Sequence, residues 1–515
     1  MSSATNHALV LLCLLALLKL PAGGVEARGS KTKIAPPLAG KPQVGGAPSE
    51  TGHRHLFIDD LAIESASGLT RVFHRPQRHP NNPLLTGSEP WEKWTVDVNG
   101  HTVFYDDDTR QFRMWYVSAL IGSEFGYGEL HRVGYAVSDD GIRWVKPELG
   151  QVTWAGSRRN NLIHWGQSWM RRPNIIKDPQ DPDPTRRYKM LYSDLIEGQT
   201  AIVKAYSIDG IHWRLNGDGQ PWFRGKHNSD LFGWDERIGE YVHYVRMPGS
   251  PVSIGRSTSK DFISWSDPET VLAPAAGEPE VNFMGLAAFP YEGMYLGLIR
   301  IRLRTKKGWE RAYVELVSSR DGIRWNRCTK GKPFFEEGER GQWDDVMITM
   351  PAPVPRNEKL WFYYCGQNHP FGKEPLIKVQ AGWVENGRRM ETAIGLALLR
   401  PDGFASLDAG AEAGTLVTRP LIIPPGKPGG GLEVNAGVRG ELRVEILDVA
   451  GNPIRGFEKD DCRPIKSDAL NHAVHWDLRS SLEDENRPNL DALRGKSVRL
   501  RFQLRNGSLY SYRFQ

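Results

Sequence analysis

Ser138-Asp139-Asp140-Gly141-Ile142-Arg143-Trp144 decides the fold, because it recurs. Ser207-Ile208-Asp209-Gly210-Ile211-His212-Trp213 and Ser319-Arg320-Asp321-Gly322-Ile323-Arg324-Trp325 repeat it closely. Ser259-Lys260-Asp261-Phe262-Ile263-Ser264-Trp265 repeats it with Phe in place of Gly, and Arg400-Pro401-Asp402-Gly403-Phe404 is a worn fifth copy. Successive aspartates lie 69, 52, 60 and 81 residues apart. A period of that size fits one four-stranded antiparallel sheet per repeat, and such repetition builds a propeller. Asp-Gly supplies a tight turn with Gly at positive φ. The Ile and Trp that follow alternate about one exposed residue and are expected to bury between neighbouring sheets. Asp140, Asp209, Asp261 and Asp321 are therefore read as turn residues with no catalytic role.

An aromatic strand precedes each turn: Arg113-Met114-Trp115-Tyr116-Val117 is the first, and Leu360-Trp361-Phe362-Tyr363-Tyr364 the fifth. Upstream of each lies a further strand. Five such units predict an all-β chain with a five-bladed β-propeller over residues 53–407. No long segment carries a 3.6-residue period, so helix is expected to be scarce. After about residue 408 the pattern changes to short alternating runs, as in GLEVNAGVRGELRVEILD (431–448) and SVRLRFQLRNGSLYSYRF (497–514). These predict a C-terminal β-sandwich over 408–515.

The 515 residues suffice for two or three domains. The formal charge of +5 is too small and too scattered to argue for nucleic acid. Residues 1–27 read as an export signal: ALVLLCLLALL (8–18) is long enough for the apolar core of a signal and short for a membrane span. The expected location is secreted or periplasmic, with no membrane contact after cleavage; a retained N-terminal anchor is the alternative. Residues 28–52, rich in Pro, Gly, Lys and Ala, read as a disordered linker. Of four cysteines, Cys13 leaves with the signal. Cys328, Cys365 and Cys462 allow at most one bridge, and none has a His partner that suggests catalysis.

Candidate chemistry sits where the strand upstream of each aromatic strand begins, because the innermost strands of a propeller line its central channel. The first unit offers Trp94 and Asp97, the second Arg172, and the third Asp230. The fourth offers Glu280 and Asn282, and the fifth Asp344 and Asp345. Cleavage of a glycosidic bond needs one carboxylic acid to protonate the leaving oxygen and one carboxylate to attack or to activate water. Asp97, Asp230, Glu280 and Asp345 are the candidate catalytic carboxylates. Arg172, Asn282, Trp94 and Asp344 are the candidate substrate-binding residues. No cofactor and no metal is required. Asp178, Asp181 and Asp183 read as a polar turn rather than a Ca²⁺ loop, lacking ordered ligand spacing. His53, His55, His74 and His79 are too loosely spaced for zinc.

Leu56-Phe57-Ile58-Asp59-Asp60, Asn82-Pro83-Leu84-Leu85, the Ser-x-Asp-Gly-Ile-x-Trp repeats and Gly341-Gln342-Trp343-Asp344-Asp345 together resemble the five-bladed furanosidase superfamily, glycoside hydrolase families 32 and 43. The chain looks especially like secreted bacterial proteins described as glycoside hydrolase family 32 N-terminal-like. The resemblance runs from about residue 53 to the end and implies a carbohydrate substrate. It also implies a triad of Asp, Asp and Glu on the first three blades. The chain departs from that triad: Lys177-Asp178-Pro179 stands where the family has Arg-Asp-Pro, and the third blade offers Asp230 rather than Glu. The expected function is glycoside hydrolysis, with Asp97 as base or nucleophile and Asp230 or Glu280 as acid. Two alternatives remain: a glycan-binding propeller without turnover, and a sialidase-like enzyme. The latter wants three converging arginines and a tyrosine nucleophile. Arg172, Arg246 and Arg300 or Arg302 are the arginines available, and their strand positions match such a triad poorly.

Overall fold

The computed structural model describes residues 52–98, 100–121, 129–164, 171–215, 221–224, 229–305, 308–370, 373–385, 387–426, 429–477 and 490–515. The expected export signal at 1–27 and nearly all of the linker at 28–52 lie outside them. The described residues are almost entirely strand, and their one α-helix is Lys373–Gln380. Among them no helix is long and apolar enough to cross a membrane.

Each repeat unit is an antiparallel sheet. The first joins Val103–Asp106, Gln111–Ile121 and Glu129–Ser138. The second runs from Arg171–Lys177 through Tyr188–Ile196 and Gln199–Ser207 to Trp213–Leu215. The third comprises Ser229–Asp235, Glu240–Arg246, Ile254–Ser259 and Glu269–Leu272, and the fourth Val281–Tyr291, Met294–Thr305, Gly308–Ser319 and Trp325–Arg327. In the fifth, Met347–Thr349 and Val354–Arg356 pair with Lys359–Gln367, which pairs with Thr392–Leu399; Gln77–Arg78 closes its edge. A single parallel pairing, Ala312 with Met347, joins the fourth to the fifth.

The repeated turns work as expected of Asp-Gly. Oδ1 of Asp209 accepts the N–H groups of Ile211 and His212, each at 2.8 Å, and Asp140, Asp261 and Asp321 do the same in their copies. Gly141, Gly210 and Gly322 take φ of 74°, 78° and 70°. In three copies the Trp that ends the motif folds back and donates Nε1 to the turn carbonyl, Trp213 to Gly210 at 2.9 Å, Trp265 to Phe262 at 3.2 Å and Trp325 to Gly322 at 3.2 Å; Trp144 Nε1 has no such partner among the described residues. The Ile does not follow it inward in every copy. In two copies, Ile263 and Ile323 are 40% and 49% exposed, whereas Ile142 and Ile211 are half-buried against neighbouring clusters, although all four N–H groups are held by the aspartate. Burial between sheets is thus corrected for Ile263 and Ile323.

Each turn is also gripped by the preceding sheet. Trp115 of the first sheet donates to Gly210 O at 2.7 Å, and Lys204 of the second to Ile263 O at 2.9 Å. Tyr244 of the third donates to Gly322 O at 2.8 Å, and Tyr291 of the fourth to Asp402 at 2.9 Å. Tyr363 of the fifth reaches back to Gly141 O in the first at 2.8 Å. The third copy also explains its Phe. By register Leu191 stands in the second sheet where Trp115 and Tyr244 stand in theirs. Leu191 is smaller, and Phe262, at φ 63°, packs in its cluster and fills the slot.

The C-terminal strands form one pairing network of nine strands. Leu432–Leu447 and Ser497–Phe514 are its long members; Leu442, Val444 and Ile446 face Leu500, Phe502 and Leu504 in the core, with alternation as the pleat demands. Three N-terminal strands, His55–Leu56, Ile63–Ser67 and Thr70–Phe73, belong to this network and not to the fifth repeat sheet. The boundary expected at 407/408 falls inside the strand Ala405–Ala409. Asp59 and Asp60 accordingly bind Arg320 and Arg71.

Candidate functional site

Asp97 stands outside the named strands, held by two backbone hydrogen bonds of 2.8 Å to Val117 of the first sheet. The second sheet opens on a bulge between Arg171 and Asn174, and Arg172 at its centre takes φ 53°. A non-glycine residue held there is strained by roughly 1–3 kcal/mol and persists only where its surroundings fix it. In the third sheet, Asp230 is 2% exposed, and Arg300 from the fourth sheet donates Nη2 to both its oxygens, at 2.9 and 2.8 Å. Gly285, at a bulge in the adjoining strand, makes the room: a Cβ there would lie 1.9 Å from Arg300 Nη2 and 2.2 Å from Asp230 Oδ2.

Arg172, Arg246, Arg300 and Arg302 share one electrostatic neighbourhood. Burial first, and then Arg300, hold Arg172 down to about 9, with Asp97 pulling the other way and Arg246 and Arg302 adding to the depression. Burial, then Arg246 and Arg300, bring Arg302 to about 9; burial, then Arg300, brings Arg246 to about 10. Arg300 and Arg302 are two residues apart on one strand and so share a face. Arg246 ends its strand two residues beyond Tyr244, which lies opposite Asp230. The arginines set aside as a poor match for a triad are therefore brought together. Strand register and the two bulges assemble them, and neither is visible in spacing along the chain.

Three further residues escaped the sequence reading. His101 is kept neutral by burial, against the pull of Asp230 and of a hydrogen bond to Ala288; its Nε2 has no hydrogen-bond partner among the described residues. Asn174 is fully buried, and its Oδ1 accepts N–H groups from Leu231 (3.1 Å) and His101 (3.3 Å), tying three sheets together at the site. Cys365 is buried beside Asp97; burial, then the Asp97 charge, pushes its thiol well above the usual range, so it stays an S–H.

The other predicted residues lie elsewhere or are committed. Glu280 is exposed at the start of its strand, two residues before Asn282, which pairs with Arg302. Asn282 is 5% exposed and clamps the backbone, its Oδ1 accepting Val252 N–H at 3.0 Å. Asp344 is buried with Arg78 Nε at 2.8 Å and Tyr364 OH at 3.0 Å, where it holds the fifth sheet together. Asp345 faces a cleft of about 490 Å³ and binds Arg388 there at 3.0 Å. The ring of Trp94 is covered at 3.8 Å by Arg389, which lines the same cleft. Asp178 and Asp181 both take the fully buried Lys189 ammonium, at 2.7 and 2.6 Å, so a side-chain cation stands between them. His55 stacks on Tyr512 and His74 meets Ser406. Cys328, Cys365 and Cys462 are unbridged.

No family model matches the sequence, and no curated protein does. Among solved structures, one similar chain is described as a GH130 mannoside-phosphorylase-family glycoside hydrolase targeting β-1,2-mannosidic linkages in Candida mannan. It is 16% identical, with 64% of this chain and 95% of that chain covered and a TM-score of 0.43. A glycosyl hydrolase from Bacteroides ovatus is 16% identical over 64% and 95%, with a TM-score of 0.44. A β-1,2-mannobiose phosphorylase from Listeria innocua is 14% identical over 64% and 97%, with a TM-score of 0.45. None of these three is described as a member of families 32 or 43, to which the sequence motifs pointed. Overlays this partial assign neither fold nor activity.

Proposed function

We propose that this chain is a glycan-active enzyme, a glycoside hydrolase whose five repeat sheets are the blades of a propeller and whose C-terminal network is the accompanying sandwich. The succession of turn contacts, each sheet gripping the turn of the next and the fifth returning to the first, supports the propeller. The reaction centre is the ground between Asp97 and Asp230. One observation carries this: two carboxylates from different sheets act on one set of arginines, Asp97 on Arg172 and Asp230 on Arg300. Asp97, beside the buried Cys365 S–H, is the base or nucleophile. Asp230, committed to Arg300, orients that guanidinium. Export follows from the apolar run at 8–18, and N-terminal sequencing of the mature protein should then begin near Arg28.

The test is a product screen over plant, algal and host glycans, detecting reducing ends and monosaccharides. Release should be confined to one glycan class. Asp97→Asn should lower it by about 10²–10⁴-fold while the protein still folds, with a lower melting temperature because Arg172 loses its counter-charge. Full activity in Asp97→Asn would remove the assignment. Saturable binding with no product from any glycan would favour a binding propeller.

A further inference from the structure

The charge at this centre is lopsided. Among the described residues, four guanidinium groups stand against Asp97 and Asp230, and Asp230 is already engaged by Arg300 at 2.8 Å. His101, kept neutral, adds no charge and leaves Nε2 as an acceptor. Like charges crowded into a poorly solvated place destabilise the fold that holds them. The backbone nonetheless strains to keep them there, with Arg172 at φ 53°. Nor is Arg246 used up by the protein: its buried Nε donates to no acceptor among the described residues. Arginine forks gathered in this way match the planar or tetrahedral oxygens of an anion and bind them with short, charge-assisted hydrogen bonds.

We propose that the Arg172, Arg246 and Arg302 side of the centre seats an oxyanion carried by the glycan, a ring carboxylate or a sulfate ester, so that the substrate is an acidic sugar. The inference rests on the reading of this centre as a glycan site. The anion anchors one sugar and sets its ring against Asp97. In doing so it offsets the repulsion among the guanidinium groups.

Two measurements on the full chain test it. In the first, calorimetry and thermal melting are followed with uronate-bearing and sulfated oligosaccharides, with neutral oligosaccharides of equal length, and with inorganic sulfate or phosphate at constant ionic strength. Acidic oligosaccharides should bind saturably and raise the melting temperature, neutral ones should not, and millimolar sulfate should compete. In the second, Arg246→Gln should weaken acidic binding by roughly tenfold or more. The same change should raise the melting temperature of the free protein, because it removes a repelling charge; a merely structural arginine would lower it. If Arg246→Gln does not fold, the sulfate competition on the unchanged protein decides. Equal binding of neutral and acidic sugars overturns the inference, as does a response to inorganic anions alone. Acidic binding without product would leave the anion seat standing and remove hydrolysis. Turnover of neutral glycans untouched by Arg246→Gln would do the reverse.

Discussion

Gly285 illustrates how much of the centre depends on what a residue lacks. Its φ of 152° and the closeness of Arg300 and Asp230 leave no place for a Cβ. Gly285→Ala should therefore push the pair apart, lowering stability by about 1–3 kcal/mol in denaturant titration and impairing turnover together. Asp230→Asn should be worse for stability, by roughly 3–5 kcal/mol, because Arg300 is left buried without its counter-ion. At this scale the sequence was partly legible. Asp230 and Arg172 were found because each is the second residue of its repeat's opening strand; Asp97 was found with them but lies outside the named strands, bridged to Val117. Arg246, Arg300 and Arg302 were not assigned, because their meeting depends on register and on bulges at Arg171/Asn174 and Phe283/Leu286. Asn282 and Asp344 were over-read: a polar residue at a strand start serves a backbone clamp or a buried ion pair as readily as a ligand.

The turn motif is the element that the sequence exposed most fully, since its Asp, Gly and Trp each carry a local mechanical duty. Its variant copy makes a prediction of its own. Phe262→Gly would restore the repeat yet empty the slot beside Leu191, and should cost about 3–5 kcal/mol, read as a fall in the denaturation midpoint. The motif aspartates also tie the elements to pH. Burial alone would raise the carboxyl of Asp209, but His212 and the turn N–H groups outweigh it and hold it at about 2; Asp321 is held at about 2 by its own turn and Arg324. Asp106 is likewise at about 2, with Lys177, Arg113 and Tyr188 overcoming burial. A carboxyl depressed in the folded state supports it above the unfolded value of about 4 and ceases to as pH falls toward 2. Urea midpoints should accordingly drop between pH 4 and 2, and Asp209→Asn should flatten part of that slope.

Across the whole molecule, the pairing of the first described strands with the last has a practical consequence. A fragment of residues 408–515 lacks His55–Leu56, Ile63–Ser67 and Thr70–Phe73, three of the nine strands of its network. It should be poorly folded when expressed alone, with weak near-ultraviolet dichroism, and adding residues 53–75 in trans should improve it. A stable, cooperatively melting fragment would refute that. The sequence suggested five repeats, which appear as antiparallel strand groups with the fourth and fifth joined in one sheet, and a boundary near 408, which falls inside the strand Ala405–Ala409. It could not reveal which sheet the first strands join, because their partners lie hundreds of residues further along.

That same distance sets a clock. Leu56 pairs with Ser511, near the very end of the chain. At about 5–20 residues per second of synthesis, its partner appears on the order of tens of seconds after it does. Through that interval the leading strands are finished but unmatched, with open edges able to pair wrongly. Tyr363, which completes the circuit of turn contacts at Gly141, arrives late as well. The repeat sheets can assemble one by one as they emerge, but the circuit cannot close before Tyr363 is made, nor the C-terminal network before Ser497–Phe514. Birth order, then, makes truncated or stalled chains the form of this protein most open to mispairing.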